Sequence, residues 1–330
     1  MINETEDIIM ENEYDIAIIG GGPIGLYAAY YSGIRKLKTI LLESMDSFGG
    51  QLTSQYPEKM IYDLPGFAGI KAQDFIDKLA TQLERSEEFV TTFFNSNVEL
   101  ITKNNTGFAV TVNNTIHQAK TVLITVGNGA FSPRKMNLEN EDNYANIYYS
   151  INKLEQLRDK TVAILGGGDT AVDWALMLEN ICKKVHIVHR RNEFRAKEAS
   201  VEKLKNSSVN IHTPFNPTSL SGENNELQAI NFTNATDETS LTLDIDALIV
   251  NYGIVSDIAF LKNWGLELLK NKIIVASDQS TNIPGIFACG DICTYNGREI
   301  QIATGFGEVI NATAAAQRYI YPDSKLRPIR

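Results

Sequence analysis

The stretch Asp15-Ile16-Ala17-Ile18-Ile19-Gly20-Gly21-Gly22-Pro23-Ile24-Gly25 opens on a short apolar run with β-branched residues and stops at glycines. Such a run reads as a buried strand. From Gly25 the apolar spacing turns helical through Ser32, and Gly33 is expected to end the helix. Thr39–Leu42 is a second buried strand, closed by Glu43. The unit is strand, helix, strand in about 30 residues, a βαβ motif. In that setting Gly20-x-Gly22-x-x-Gly25 has a chemical meaning. The first glycine permits the sharp turn, the second lets a pyrophosphate approach the backbone, and the third lets helix and strand pack closely. The helix N-terminus offers free N–H groups and partial positive charge to phosphates. Glu43 is placed to accept hydrogen bonds from a ribose. The segment Ile16–Ile34 is 19 residues without a charge, but Gly20 to Pro23 interrupt it, so it does not read as a membrane-spanning helix.

The same programme recurs. Thr161–Leu165 is a buried strand, Gly166-x-Gly168-x-x-Ala171 the turn, Thr170–Leu178 the helix and Val185–Val188 the second strand. Here no acid follows the second strand. The chain reads His189-Arg190-Arg191, then Arg195, and Lys183–Lys197 holds six Lys/Arg against one acid. Fixed cations at this point suit a 2′-phosphate, so NADP(H) is preferred over NAD(H). Gly166, Gly168, Asp169, Thr170, Ala171, His189, Arg190, Arg191 and Arg195 are the candidate NADP residues. Two different dinucleotide sites imply that one holds a flavin and the other delivers a hydride to it. Phe287-Ala288-Cys289-Gly290-Asp291, followed by Thr304-Gly305, points to FAD in the first. Asp291 can address a ribityl chain and Thr304 the flavin pyrimidine edge.

Between these motifs, Val98–Thr102 and Phe108–Val112 flank the turn-rich Asn104–Gly107, and Thr121–Val126 is a strand ending at Gly127. Glu226–Thr233 and Ser240–Leu243 read as antiparallel strands, and Ala247–Val250 as a buried one. Ile286–Ala288 and a helix from about Glu308 to Tyr319 carry no glycine-rich unit of their own, so they are expected to return and complete the first domain. The expected architecture is α/β: two Rossmann-like three-layer dinucleotide-binding domains, the NADP domain inserted in a discontinuous FAD domain. The boundaries read 1–13 as a polar leader, 14–128 and 252–330 as the FAD-binding domain, and 129–251 as the NADP-binding domain. The crossings fall near Gly127-Asn128-Gly129 and Asn251-Tyr252-Gly253.

Composition narrows the function. In 330 residues, 43% are hydrophobic and 21% charged, the balance of a globular protein and not of a disordered one. A net charge of −10 argues against nucleic acid and anionic membrane surfaces as partners. Three cysteines cannot form a disulfide framework. The acidic N-terminus lacks the positive start of a signal peptide, and a reducing cytoplasm is expected. His117, His186, His189 and His212 have no metal-ligand spacing, so no metal is expected.

With these motifs together, the chain resembles the two-dinucleotide flavoproteins, and closely the thioredoxin-reductase-like ferredoxin–NADP(+) reductases. The resemblance covers the chain from about Tyr14 to Arg327, and its marks are Gly20–Gly25, Gly49-Gly50-Gln51-Leu52, Tyr56-Pro57-Glu58-Lys59, Gly166–Ala171, His189-Arg190-Arg191, and Cys289-Gly290-Asp291 running into Ala303–Glu308. Thioredoxin reductases carry a redox Cys-x-x-Cys before the second glycine loop, and residues 129–160 here contain no cysteine. The resemblance implies that Glu43 binds the adenosine ribose, Gln51 meets the flavin region and Tyr56 stacks on the isoalloxazine. It places Asn97 and Val98 at the adenine, Phe131 near the flavin and Asp291 on the ribityl chain. It also implies a homodimer, hydride transfer from NADPH to flavin N5, and one-electron steps to ferredoxin or flavodoxin. No side chain is needed as acid or base. The resembled family usually continues into a short tail over the flavin, whereas this chain stops at Pro328-Ile329-Arg330, so that contact is expected to be missing or supplied otherwise. Arg35, Lys36 and Lys38, or Lys325, Arg327 and Arg330, are candidate basic docking segments. Alternatives remain: an NADPH-dependent flavin oxidase or disulfide reductase, or a non-enzymatic flavin-binding sensor. Cys289 and Cys293 are spaced as Cys-x-x-x-Cys, which is not the usual redox pair, and Cys182 reads as a packing residue.

Overall fold

A computed structural model describes residues 11–151, 154–257 and 260–323. The chain divides into two compact units, one running up to Ala130 and resuming at Ser256, the other spanning Phe131–Val255. The second unit is thus inserted into the first. Each crossing is a strand, Ala130–Pro133 and Ile254–Asp257, and the two pair with each other. Both unit boundaries therefore fall just beyond the glycine-bearing segments.

The first unit is built on a seven-stranded sheet. Glu11–Ile19 lies between Thr39–Leu42 and Thr115–Ile124, parallel to both. Ile286–Ala288 joins Thr115–Ile124 in parallel, with Ile286 opposite Val122, so the returning segment completes this sheet. Ile16 and Ile18 point into a core shared with the helices Pro23–Ile34, Ala72–Leu83 and Ile302–Ile320. Ala17 and Ile19 point into the opposite core, with Trp264, Leu266 and Ile273. Burial on both faces is why the run is apolar without alternation.

The second unit has a five-stranded parallel sheet in the order Ile147–Tyr148, Ala247–Val250, Thr161–Leu165, Lys184–Val188, Asn210–His212. Ile164 faces the helix Asp169–Leu178 on one side. Leu165 faces the antiparallel sheet of Phe215–Glu223, Glu226–Asn234 and Ser240–Asp244 on the other. Each unit is therefore a layered α/β assembly.

Several boundaries differ from the sequence reading. The first strand begins at Glu11, so Glu11–Glu13 belong to it; residues 1–10 lie outside the described residues. Gly33 does not end the first helix, which runs to Ile34. A Cβ at Gly33 would come within 2.5 Å of the Ser86 Cβ, so glycine there serves close packing. The chain turns at Lys36, with φ of +60°. The last helix starts at Ile302 and not near Glu308, because Gly305 and Gly307 disguise its first turns. Asn113 and Asn114, both at positive φ, make a tight hairpin turn that the sequence reading passed over.

Candidate dinucleotide-binding sites

In the first unit the strand Glu11–Ile19 delivers the chain to Gly20, whose φ is +101°. A side chain there would also meet the Thr125 carbonyl oxygen at 2.8 Å. Gly20 donates its N–H to the Leu42 carbonyl at 2.8 Å, tying the turn to the neighbouring strand. A Cβ on Gly25 would lie 1.7 Å from the Gly20 carbonyl oxygen, so helix and turn can approach only with glycine at that position. Around Gly22 there is open space: nothing stands within 4 Å of where its Cβ would be. Gly22 is also the N-cap of Pro23–Ile34, and no side chain caps that end. An uncapped helix start beside open space suits an anion.

Glu43 is 4% exposed. Its Oε2 accepts the Gly21 N–H at 2.5 Å, and its Oε1 accepts the Met45 N–H at 2.8 Å and the Ser44 hydroxyl at 3.2 Å. An ionised carboxylate has about four acceptor positions, so one stays available on Oε2 for a ribose hydroxyl. The Ser96 N–H bonds the Glu43 carbonyl, which brings exposed Asn97 and buried Val98 alongside.

Gly49 donates to the Gly21 carbonyl at 2.9 Å, and a Cβ on Gly50 would sit 3.6 Å from Gly22 Cα. This contact seats half-buried Gln51, the first residue of a short helix, beside the glycine turn. Tyr56 follows in a turn closed by the Lys59 N–H on the Tyr56 carbonyl. The Pro57 and Lys59 carbonyls accept the first amides of Ala72–Leu83, from Gln73 at 3.0 Å and Ala72 at 2.9 Å. Glu58 pairs with Lys71 at 2.8 Å. The Tyr56–Lys59 turn is therefore the cap of that helix, which fixes the backbone at Tyr56. The Lys59 ammonium lies over the Tyr56 ring, 5.7 Å from its centre.

Ile24 gathers the remaining pieces. A Cβ on Gly290 would sit 3.2 Å from Ile24 Cγ1, and one on Gly305 would sit 2.5 Å from Ile24 Cδ1. Asp291, with its side chain 42% exposed, and half-buried Thr304 are thereby brought to the start of the Pro23–Ile34 helix. Beneath Asp291 lies a buried ion pair that the sequence reading left without a role: Arg298 Nε donates to Glu308 Oε1 at 2.7 Å, with side-chain exposures of 3% and 2%. Glu308 Oε2 also accepts the Gly290 N–H at 2.7 Å. The available signal was Glu308 itself, an acid on an otherwise uncharged buried face of its helix. Phe131 begins the second unit, and its side chain lies outside the described residues.

The second unit repeats the construction. The Gly166 N–H donates to the Val188 carbonyl at 3.0 Å, and a Cβ there would meet the Asn251 carbonyl oxygen at 2.6 Å. Gly168 has nothing within 4 Å of its Cβ position and caps Asp169–Leu178 without a side-chain bond. Half-buried Thr170 and buried Ala171 follow. The Asp169 carboxylate accepts the Lys197 N–H, and the Arg195 N–H bonds the Gly167 carbonyl at 2.7 Å, so residues 189–197 fold back over the glycine turn. The His189 ring lies against Gly167 and stacks on Phe194 at 5.4 Å. Burial, then the nearby guanidinium groups, hold its pKa below the ordinary histidine value. Arg190, Arg191 and Arg195 are exposed and form no ion pair among the described residues. His189 Nε2 and Asn251 Oδ1 are buried without a partner. Open space at Gly168, unsatisfied polar atoms and three unpaired guanidinium groups fit a phosphorylated dinucleotide.

Residues 14–316 match the model of the pyridine nucleotide-disulphide oxidoreductase family. The chain belongs to this family. A Geobacillus kaustophilus (strain HTA426) protein named ferredoxin–NADP reductase is 47% identical over 320 residues, 96% of each chain. Ferredoxin–NADP reductase 2 of Bacillus subtilis (strain 168) is 47% identical over 319 residues, 96% of this chain and 95% of that one. Thioredoxin reductase of Lactococcus lactis superposes with a TM-score of 0.78 at 27% identity, covering 94% of this chain and 99% of that one.

The thiols of this pyridine nucleotide-disulphide oxidoreductase are poorly suited to disulfide chemistry. Cys289 and Cys293 are buried, and burial raises the first well above its usual pKa and the second to about 12. Cys182 is pushed by burial to about 11. The attacking species in thiol exchange is the thiolate, which these sites suppress. Arg35 is tied to Gln317 and to the Tyr31 hydroxyl, at 3.2 and 2.9 Å. Lys36 and Lys38 are exposed, but they precede Thr39–Leu42 and so lie at the opposite end of the sheet from the Gly20 turn. Lys325, Arg327 and Arg330 lie outside the described residues. Among those described, no group of three or more His, Cys, Asp or Glu could hold a metal, and no helix is long and apolar enough to cross a membrane.

Proposed function

We propose that this oxidoreductase is an NADP(H)-dependent FAD flavoprotein that passes electrons between NADP(H) and ferredoxin or flavodoxin. The observation that carries this reading is negative and local: residues 129–160, where a thioredoxin reductase places its dithiol, contain no cysteine. The relatives at 47% identity, named ferredoxin–NADP reductase, support it over 95–96% of their length.

In this reading the first unit holds FAD and the second NADP(H). When bound, FAD supplies an isoalloxazine that accepts a hydride and releases electrons singly. The chain binds and orients. Gly20, Gly22 and Gly25 admit the pyrophosphate, Glu43 holds the adenosine ribose, and Asn97 and Val98 line the adenine. Gln51, Phe131, Asp291 and Thr304 line the flavin, and Tyr56 covers one face and excludes water from it. Gly166, Gly168, Asp169, Thr170 and Ala171 receive the second pyrophosphate. His189 supports the 2′-phosphate side as a neutral ring, and Arg190, Arg191 and Arg195 bind that phosphate. The protein works as a homodimer in the cytoplasm, in keeping with its three free cysteines. Light scattering that gives a monomer mass at micromolar concentration would remove the dimer.

The test is a comparison of acceptors. The FAD-loaded protein, driven by NADPH, is offered ferredoxin, flavodoxin, thioredoxin and oxygen. Fast reduction of ferredoxin or flavodoxin is expected. Faster reduction of thioredoxin, or of oxygen, would overturn the proposal.

A further inference from the structure

We propose that Lys272 is a positioning residue of the flavin site, locking the Asp291 turn to the Asn128 turn and setting the flavin reduction potential through its charge. The proposal rests on the reading that Asp291 faces FAD.

Lys272 begins the short strand Lys272–Ile274, which runs parallel to Cys293–Thr294 with Ile273 opposite Cys293. That register lays the lysine stem along residues 291 and 292. The ammonium donates to the Asp291 backbone carbonyl and to Asn128 Oδ1, the latter at 2.8 Å. Asn128 sits in the turn that the Gly129 N–H closes on the Val126 carbonyl, directly after the central strand Thr115–Ile124. One half-buried cation thus clamps two loops at the carboxyl end of the sheet, where ligands of such folds bind. Both clamped oxygens are neutral, so the bonds do not cancel its charge.

The charges around it give the sign. The Lys272 cation is acted on by the Asp291 carboxylate and the Arg298 guanidinium, and Arg298 is held by Glu308 at 2.7 Å. Arg298 also reaches the Asp291 carboxylate, but only at 4.0 Å, and Lys272 is the second cation beside Asp291. Removing it leaves two carboxylates against one guanidinium beside the flavin. Two-electron reduction with uptake of one proton adds a negative charge to the isoalloxazine. The lysine therefore favours the reduced form, and its loss lowers the potential.

The FAD-loaded Lys272→Met, Lys272→Gln and Lys272→Arg proteins are titrated against reference dyes, and FAD affinity is measured by flavin fluorescence on the apoproteins. Lys272→Met and Lys272→Gln are expected to weaken binding of reduced relative to oxidised FAD about tenfold, which is about 30 mV for a two-electron couple. Lys272→Arg is expected to keep the parent potential. A parent potential in both uncharged variants would overturn the proposal, as would a loss in Lys272→Arg equal to that in Lys272→Met. Asp291→Ala separates the two layers. Unchanged FAD affinity in that variant would refute the placing of Asp291 at the flavin. Weakened affinity there, with Lys272→Met and Lys272→Gln silent, would refute the role of Lys272 alone.

Discussion

The Glu43 carboxylate and the Gly21 amide meet at 2.5 Å, so the acid closing the second strand also fixes the glycine turn after the first. Three protein donors converge on this carboxylate, two of them backbone amides that cannot turn away.

Glu43→Gln exchanges one acceptor oxygen for an NH2 group that must face a donor. The expected cost is about 1–3 kcal/mol of stability, the price of an unmade buried bond. FAD affinity should fall at least tenfold, since the remaining acceptor for the ribose is lost with it. Fluorescence titration of the apoprotein and a thermal melt check both. A variant matching the parent in affinity and Tm would remove Glu43 from the site.

Nucleotide choice is expected to follow Arg190 and Arg191. Each unpaired guanidinium bonded to a phosphate is worth roughly 1.5–3 kcal/mol, or about ten- to over a hundredfold. Arg190→Ala with Arg191→Ala should raise KM for NADPH by that factor or more and leave KM for NADH nearly unchanged. Steady-state kinetics with both nucleotides decides it, and equal effects would show that the two arginines do not read the 2′-phosphate.

Much of this was legible in the sequence because a buried parallel strand, a glycine turn and the acid or arginine after the next strand sit close together along the chain. Gly20, Gly25 and Glu43 could be placed before any coordinate was known. Ile24, Thr125, Lys272 and Arg298 could not. Their importance lies in contacts across large sequence distances, as when Ile24 meets Gly290 and Gly305, or the Thr125 hydroxyl donates toward the Ile19 and Gly20 carbonyls, each at 2.9 Å. Gly33 and Gly305 misled for a related reason. A glycine that ends a helix and one that lets another segment approach look alike in a single sequence.

The second unit carries a pH liability in His186 and His212. Their rings stack with centres 5.1 Å apart, and His186 Nδ1 lies 2.8 Å from His212 Nε2. Burial, then His212 and Lys184, lower the His186 pKa to about 4; burial, then Lys184, lower that of His212. With both rings neutral one nitrogen donates and the other accepts, whereas with both charged they repel. The unfolded chain binds protons near pH 6.5 and the folded one only lower, so stability falls as pH drops from about 6.5 toward 4. His186→Gln should flatten the dependence of Tm on pH in that window. An unchanged slope would show that the pair does not titrate with unfolding.

Arg298 and Glu308 test the support under Asp291. Arg298→Met strands a buried carboxylate, and Glu308→Gln strands a buried guanidinium, each at a cost of about 3–5 kcal/mol. The double variant Arg298→Met with Glu308→Gln removes both charges, and the new amide oxygen can still accept the Gly290 N–H. Its loss should therefore be well below the sum of the two single losses, since residues in contact are not additive. Release of FAD on heating reports the first unit specifically, and a cost of that size should lower the release temperature by roughly 10 °C at about 2–4 °C per kcal/mol. Additive losses would show that the two side chains are stabilised independently, and the ion pair would then have no part in holding the Gly290-Asp291 turn.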